Sequence, residues 1–214
     1  MHTATVGGMY QPPAFREERS DVVVDLVRRA GYGHLVVADD GGFVSTPMPF
    51  VADDGLTTVR AHLARPNTAW RAAPCAALLI VPVTDAYVSP SWYPGKAEHG
   101  EVVPTWNYEV VHLHGRLIAH DDPDWVYRQI NDLTDANESA MPAPWAVTDA
   151  PEEFIAKMQR GIVGVELLVE RVEAKRKLSQ NRGETDQASV CEGLTTRDDR
   201  ARAVAIAMAP GVDD

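Results

Sequence analysis

Two aromatic and polar clusters, Tyr87-Val88-Ser89-Pro90-Ser91-Trp92-Tyr93 and Val103-Pro104-Thr105-Trp106-Asn107-Tyr108, flank a polar loop and hold the densest chemistry in the sequence. A core is built from Val, Leu and Ile, whereas this segment sets Trp and Tyr beside hydroxyl and amide groups, with prolines fixing the turns. Flat surfaces with polar tips suit a planar, polar ligand. A single Trp after Pro-Ser or Pro-Thr would read as a core-filling strand end. Two clusters with the same Pro, hydroxyl, Trp order balance a ligand wall against that packing role. His112 and His114 lie two apart on one strand face, but no carboxylate or cysteine stands at ligand spacing in the sequence. They therefore read as paired strand histidines with polar contacts, and no metal site is expected. Ser89 and Ser91 lack a Gly-x-Ser-x-Gly elbow, which disfavours a hydrolase triad. No Gly-x-Gly-x-x-Gly or Walker sequence occurs, so Rossmann dinucleotide binding and P-loop ATP binding are unsupported.

The elements that must position these residues follow from periodicity. Residues 1–8 are small and polar and read as a loose tail. Ser20 can cap a helix with apolar positions at Val22, Val23, Leu26, Val27 and Ala30, ended by Gly31 and Gly33. The period then falls to two. His34 to Ala38, Phe43 to Val51 and Leu56 to His62 read as strands joined at Asp39-Asp40-Gly41-Gly42 and Asp53-Asp54-Gly55, an antiparallel meander. Asn67 can cap a short helix through Trp70. Ala76 to Val83 is a continuous apolar run expected to be buried on both faces. Asn107 to Ile118 alternates, with Tyr108, Val110, His112 and His114 on one face and Val111, Leu113 and Leu117 on the other. Helices are expected from Asp122-Pro123 to Asn137, from Pro151 to Gly161, around Glu184 to Leu194 and around Arg197 to Met208. Ile162 to Val172 reads as a last strand, leading into a basic connection at Lys175-Arg176-Lys177. Short strands before a helical tail give an α+β class with a small barrel.

The chain has 214 residues and a formal charge of -11, enough for a core without staples and unfavourable to phosphate backbones overall. Cys75 and Cys191 lie far apart, with no disulfide or zinc spacing. No signal sequence or apolar span of about 18 residues occurs, so a cytoplasmic location is expected.

Ser89-Pro90-Ser91-Trp92-Tyr93, Val103-Pro104-Thr105-Trp106-Asn107-Tyr108 and Lys177-Leu178-Ser179-Gln180-Asn181-Arg182 resemble three signature blocks of the PaiB family of FMN-binding negative transcriptional regulators. Met9-Tyr10-Gln11-Pro12 and His62-Leu63-Ala64-Arg65-Pro66-Asn67 with Trp70 are similar to the same family in the same order. The resemblance implies an antiparallel split β-barrel with flanking helices over residues 9–183, a helical extension over 184–214, and a homodimeric flavoprotein holding FMN near the subunit interface. FMN needs cations or amides for its phosphate and polar groups with flat walls for its ring. With the resemblance, His62, Arg65 and Asn67 become candidates for the phosphate, at a strand-to-helix turn that can aim amides at an anion. Thr46, Trp92, Thr105, Trp106, Asn107 and Tyr108 become candidates for the ring or the partner's flavin. Lys177, Ser179, Gln180 and Asn181 become a site wall. The sequence departs from the family where many members have Thr-His-Leu-Pro and it has Thr46-Pro47-Met48-Pro49, and where Gly-His is replaced by Ala61-His62.

Three functions compete. The first is a flavin-dependent oxidoreductase. The second is a transcriptional regulator, for which the Arg171 to Arg182 basic run is the one candidate DNA patch, against an acidic balance. The third is a haem enzyme forming nitrogen-nitrogen bonds in natural-product biosynthesis, with His62 as axial ligand, as in some relatives on this scaffold. Those relatives relax the Ser-Trp-Tyr and Gln-Asn-Arg positions kept here, which ranks haem below flavin.

Overall fold

The computed structural model describes residues 8–39 and 41–209, so all but the last residue of the expected tail lies outside the described residues. In chain order the elements are β1 (Arg16–Glu17), α1 (Ser20–Ala30), β2 (Tyr32–Asp39), β3 (Gly42–Pro49), β4 (Val51–Ala52), β5 (Thr58–Ala64), β6 (Cys75–Val88), α2 (Gly95–Glu98), β7 (Thr105–His120), α3 (Pro123–Glu138), α4 (Glu152–Gln159), β8 (Ile162–Lys177), α5 (Glu184–Thr195) and α6 (Asp199–Met208). The strand order is β3-β2-β6-β7-β8-β5-β4, with β1 on β8 and no closure between the end strands. The fold is α+β. Among the described residues no helix is long and apolar enough to cross a membrane.

The chain forms two compact units whose boundaries fall inside α1, β6, β7 and β8. One unit comprises 24–81 and 112–172. There β2 and β3 form a hairpin, His34 to Val37 of β2 pair with β6, and β5 pairs antiparallel with β8 from Thr58↔Leu168 to Ala64↔Ile162. The expected meander is therefore broken: β5 leaves the β2–β3 hairpin and joins the last strand. Two local causes separate it, Pro49 ending β3 and the Asp53 carboxylate tying the β4–β5 turn through Thr57 N at 2.7 Å and Thr58 N at 3.1 Å. α1 ends where Gly31 takes φ +55°, a left-handed position suited to glycine. β6 is longer than its apolar run. Ala77, Leu79 and Val81 are buried while Leu78 and Ile80 are only partly so, which corrects the expectation of burial on both faces. Apolar residues on both faces hide the alternation from the sequence.

The other unit comprises the described parts of 1–23, 82–111 and 173–214. Its core joins Ala86 and Val88 of β6, Tyr93 and Leu178 with Val190, Leu194, Ala201, Val204 and Ala205, so the C-terminal helices supply five of its nine buried residues. β1 pairs Arg16↔Lys175 and Glu17↔Ala174, which shows that the expected basic connection is strand. β8 continues to Lys177 because each basic side chain there finds a partner across the face it occupies, described below.

Candidate functional site

In the unit built on 24–81 and 112–172, four candidate residues are held by one another or by neighbours. Thr46 on β3 is buried, and its Oγ1 accepts from Asn67 Nδ2 at 3.1 Å. Asn67 Oδ1 accepts from the Ala69 amide at 2.9 Å, an Asx turn just before the short 3-10 turn, Ala69–Ala72 with Thr68 as its N-cap, that replaces the expected helix. His62 on β5 meets the buried Gln129 of α3, with Nδ1 2.7 Å from Oε1. That contact makes Nδ1 the protonated nitrogen and leaves Nε2 as the lone-pair atom of neutral His62. Gln129 Nε2 has no hydrogen-bond partner among the described residues.

Arg65 is anchored. Its Nη1 and Nη2 donate to the two Asp121 carboxylate oxygens at 3.1 and 2.6 Å, Nε donates to the Arg160 carbonyl at 2.9 Å, and Nη2 also donates to the Ile162 carbonyl at 2.9 Å. Asp121 raises the Arg65 pKa and is itself pushed below the usual carboxylate range by that hydrogen bond. A bidentate carboxylate partner, Asp121, occupies the guanidinium fork that the expected phosphate contact of Arg65 would use. The cavity beside it, about 400 Å³, is shared with Asp121, Val126, Ala156, Arg160 and Ile162.

In the other unit, the second aromatic cluster and the Lys177 block come together. β7 alternates there: Asn107 and Glu109 are buried, while Trp106 is 51% exposed and Tyr108 partly so. Trp106 meets Tyr87 of β6 edge-on, with ring centroids 6.2 Å apart. Lys177 Nζ donates to Thr105 Oγ1 at 2.8 Å and to the Trp106 carbonyl at 2.6 Å. Burial pushes the Lys177 pKa down, and Lys175 and Arg182 push it further. Lys175 Nζ sits 5.4 Å from the Tyr108 ring centre and 5.5 Å from that of Tyr10.

Asn107, fully buried, donates from Nδ2 to Ser179 Oγ at 2.9 Å, and the Ser179 hydroxyl lies 3.2 Å from Asn107 Oδ1. Ser179 takes φ +68°, and Gln180 closes the turn by accepting from the Leu178 amide at 2.7 Å and donating to the Arg176 carbonyl at 2.6 Å. Ser179 and Gln180 thus shape the turn after β8, and Asn181 beyond them is exposed. Trp92 stands apart from the aromatic face. It packs on the unit's core against α5, where a Cβ at Gly193 would lie 2.3 Å from its ring. For Trp92 the packing role prevails.

Lys175, Tyr10 and Tyr87 on this face lie in segments that the sequence singled out but were not among the candidate site residues, and Gln129 beside His62 gave no signal at all. The period-two placement of Lys175 and Lys177 is the available signal, since alternate residues of a strand share a face, but a charge run is more often a solvated loop.

Residues 9–171 match the family described as "Putative FMN-binding domain". The chain is 30% identical over 190 residues to protease synthase and sporulation protein PAI 2 of Bacillus subtilis, covering 87% of this chain and 89% of that one. It is 38% identical over 123 residues to an uncharacterized Aspergillus fumigatus protein, 50% of this chain but only about half, 47%, of that relative's length. Among solved structures, a conserved hypothetical protein of Mycobacterium tuberculosis superposes with TM-score 0.57 at 13% identity, covering 82% of this chain and 95% of that one. An FAD and heme binding protein of Mycobacterium smegmatis superposes with TM-score 0.57 at 16% identity, covering 81% and 79%. These likenesses show a shared fold, the α+β split barrel.

Proposed function

The chain belongs to the PaiB family of FMN-binding domains, and from that premise we propose that it is a flavoprotein holding FMN against the face formed by Trp106, Tyr108 and Tyr87. One observation carries the reading: Trp106, a large aromatic, is left half in solvent beside the Tyr87 ring and the Thr105 and Lys177 polar groups. A flat wall with donors at its edge fits an isoalloxazine, which needs stacking area and polar contacts together. When bound, FMN supplies reversible acceptance of hydride or electrons. The chain's own residues bind and orient. Trp106 and Tyr108 offer the wall, Lys177 offers positive charge, and the buried Asn107–Ser179 pair holds β7 against the turn that carries Lys177. Quenching of flavin fluorescence on titration tests this. Saturable quenching that Trp106→Ala weakens about tenfold or more supports it, and absence of saturable FMN binding by the folded wild type overturns it.

A negative effect on transcription, if the protein has one, would run through the flavin or a metabolite. A second cofactor reading, haem held by His62, is favoured by one observation: Gln129 fixes Nδ1 and leaves Nε2 as the ligand atom. Haemin added to wild type would then give a Soret shift that His62→Ala removes, and no shift in the wild type dismisses haem.

A further inference from the structure

Lys175 and Lys177 share one face of β8, two residues apart, with the intervening Arg176 on the other. The two faces are treated differently. Arg176 is met by carboxylates, Glu109 at 2.7 Å and Glu17 at 3.4 Å. Lys175, 8% exposed, and the half-buried Lys177 have no ion pair with a carboxylate among the described residues. Their contacts are neutral: Lys177 gives two N–H to Thr105 and the Trp106 carbonyl, and Lys175 gives one to the Tyr10 carbonyl at 2.9 Å. Aromatic rings of Tyr10, Tyr108 and Phe15 lie within 6 Å of the two ammonium groups. A buried cation without a counter-charge is costly, and two on one face cost more. An ammonium has three donors, so Lys177 keeps one and Lys175 keeps two for another acceptor.

We propose that Lys175 and Lys177 form the seat of an anion, a phosphate or carboxylate borne by a molecule whose flat part lies against Trp106 and Tyr108. The missing carboxylates are what leave the seat open to a ligand's own charge. The lowered Lys177 pKa agrees with this, since an anion bound there would offset the burial and the neighbouring cations that lower it. Either the cofactor's phosphate or the anionic group of a separate substrate has this chemistry. The proposal rests on the flavin reading only for the first of these.

The test titrates inorganic phosphate by calorimetry into flavin-free and flavin-loaded protein, and FMN and riboflavin by fluorescence quenching, for wild type, Lys177→Met and Lys177→Arg. Circular dichroism checks that each variant is folded. Wild type is expected to bind phosphate saturably, with affinity lowered about tenfold or more in Lys177→Met and largely kept in Lys177→Arg. If Lys177→Met also weakens FMN but leaves riboflavin unchanged, the anion is the cofactor's phosphate. If both flavins bind unchanged while phosphate binding to the loaded protein falls, the anion belongs to a substrate. Failure of both flavins to bind, with phosphate binding still sensitive to Lys177, overturns the flavin reading and keeps this one. Phosphate binding that is absent in the wild type, or unchanged in Lys177→Met, overturns the anion seat.

Discussion

At Lys177 burial and function oppose each other. The side chain is charged, half-buried and faced by cations, so the free protein bears a cost that a ligand can relieve. Replacing it by Met removes two hydrogen bonds but also the unpaired charge. Lys177→Met is therefore expected to leave the ligand-free protein as stable as wild type or up to about 1 kcal/mol more stable, read as an unchanged or raised Tm. The sign with pH follows from a folded pKa lying below the ordinary 10.5. The unfolded chain binds the proton better, so the wild-type penalty is present at neutral pH and fades as pH rises through the lowered pKa towards 10.5. The Tm difference between wild type and variant should narrow over that range, and a constant difference would count against the assignment. Glu17 behaves in the opposite sense. A hydrogen bond from Arg19 holds its pKa at about 2, from an ordinary 4.5, against burial that raises it. The stability it contributes is complete above 4.5 and is lost as pH falls towards 2. Because Arg19 is largely exposed and its pairing is screened by solvent, Arg19→Ala should weaken the fold by only about 0.5–1 kcal/mol at neutral pH and by progressively less below 4.5, as acid titration of Tm would report.

Among the elements, β7 and β8 depend on a close approach that only glycine permits. A Cβ at Gly115 would stand 2.0 Å from the Leu168 carbonyl oxygen, a backbone atom that cannot move without parting the strands. Gly115→Ala should cost about 1–3 kcal/mol or more, measured by denaturant unfolding. At Gly193 the obstacle is the Trp92 side chain, so alanine there should chiefly shift tryptophan fluorescence by displacing the ring. How far such elements can be read from sequence depends on whether their partners are local. α1 was legible to within a residue, because helical spacing, Ser20 and Gly31 are all local signals, although Ser20 is the first helical residue rather than the cap. So was α3, whose Asp122 side chain caps it through the Asp124 amide. β5 lies two residues later than its apolar run indicates, since pairing with β8 sets its ends. β8 passed for a loop beyond Val172 because Lys175 is tolerable in a strand only beside Tyr10 and Tyr108, and no local pattern brings those rings together. The candidate site divides the same way. The polar aromatic strand and the Lys177 turn were visible as composition, while the carboxylate that claims Arg65 comes from 56 positions away.

For the whole molecule, charge and exposed surface decide which partners are feasible. Tyr10, Tyr87 and Trp106 are exposed at 81%, 37% and 51%, more aromatic area than a lone chain usually leaves in water. A homodimer covering this area is expected, and light scattering at micromolar concentration that returns a single-chain mass would refute it. DNA is a different matter. Binding duplex requires Lys and Arg free to replace counterions on phosphates, in a chain of 31 acidic and 20 basic side chains. Most of the basic run that offered a patch is committed elsewhere. Lys175 is buried among rings, Arg176 is paired to Glu109 and Glu17, Lys177 is bonded to Thr105 and the Trp106 carbonyl, and Arg182 lies 5.1 Å over the Tyr93 ring. Freeing Arg176 would take from the buried Glu109 carboxylate the guanidinium bonded to it at 2.7 Å, a cost that a surface phosphate contact does not return. The purified protein should accordingly bind duplex DNA no better than about 10⁻⁴ M at physiological salt. A sub-micromolar gel shift on a promoter fragment at that salt, abolished by Arg176→Glu in a protein that circular dichroism shows to be folded, would reverse this conclusion and make any regulatory role direct.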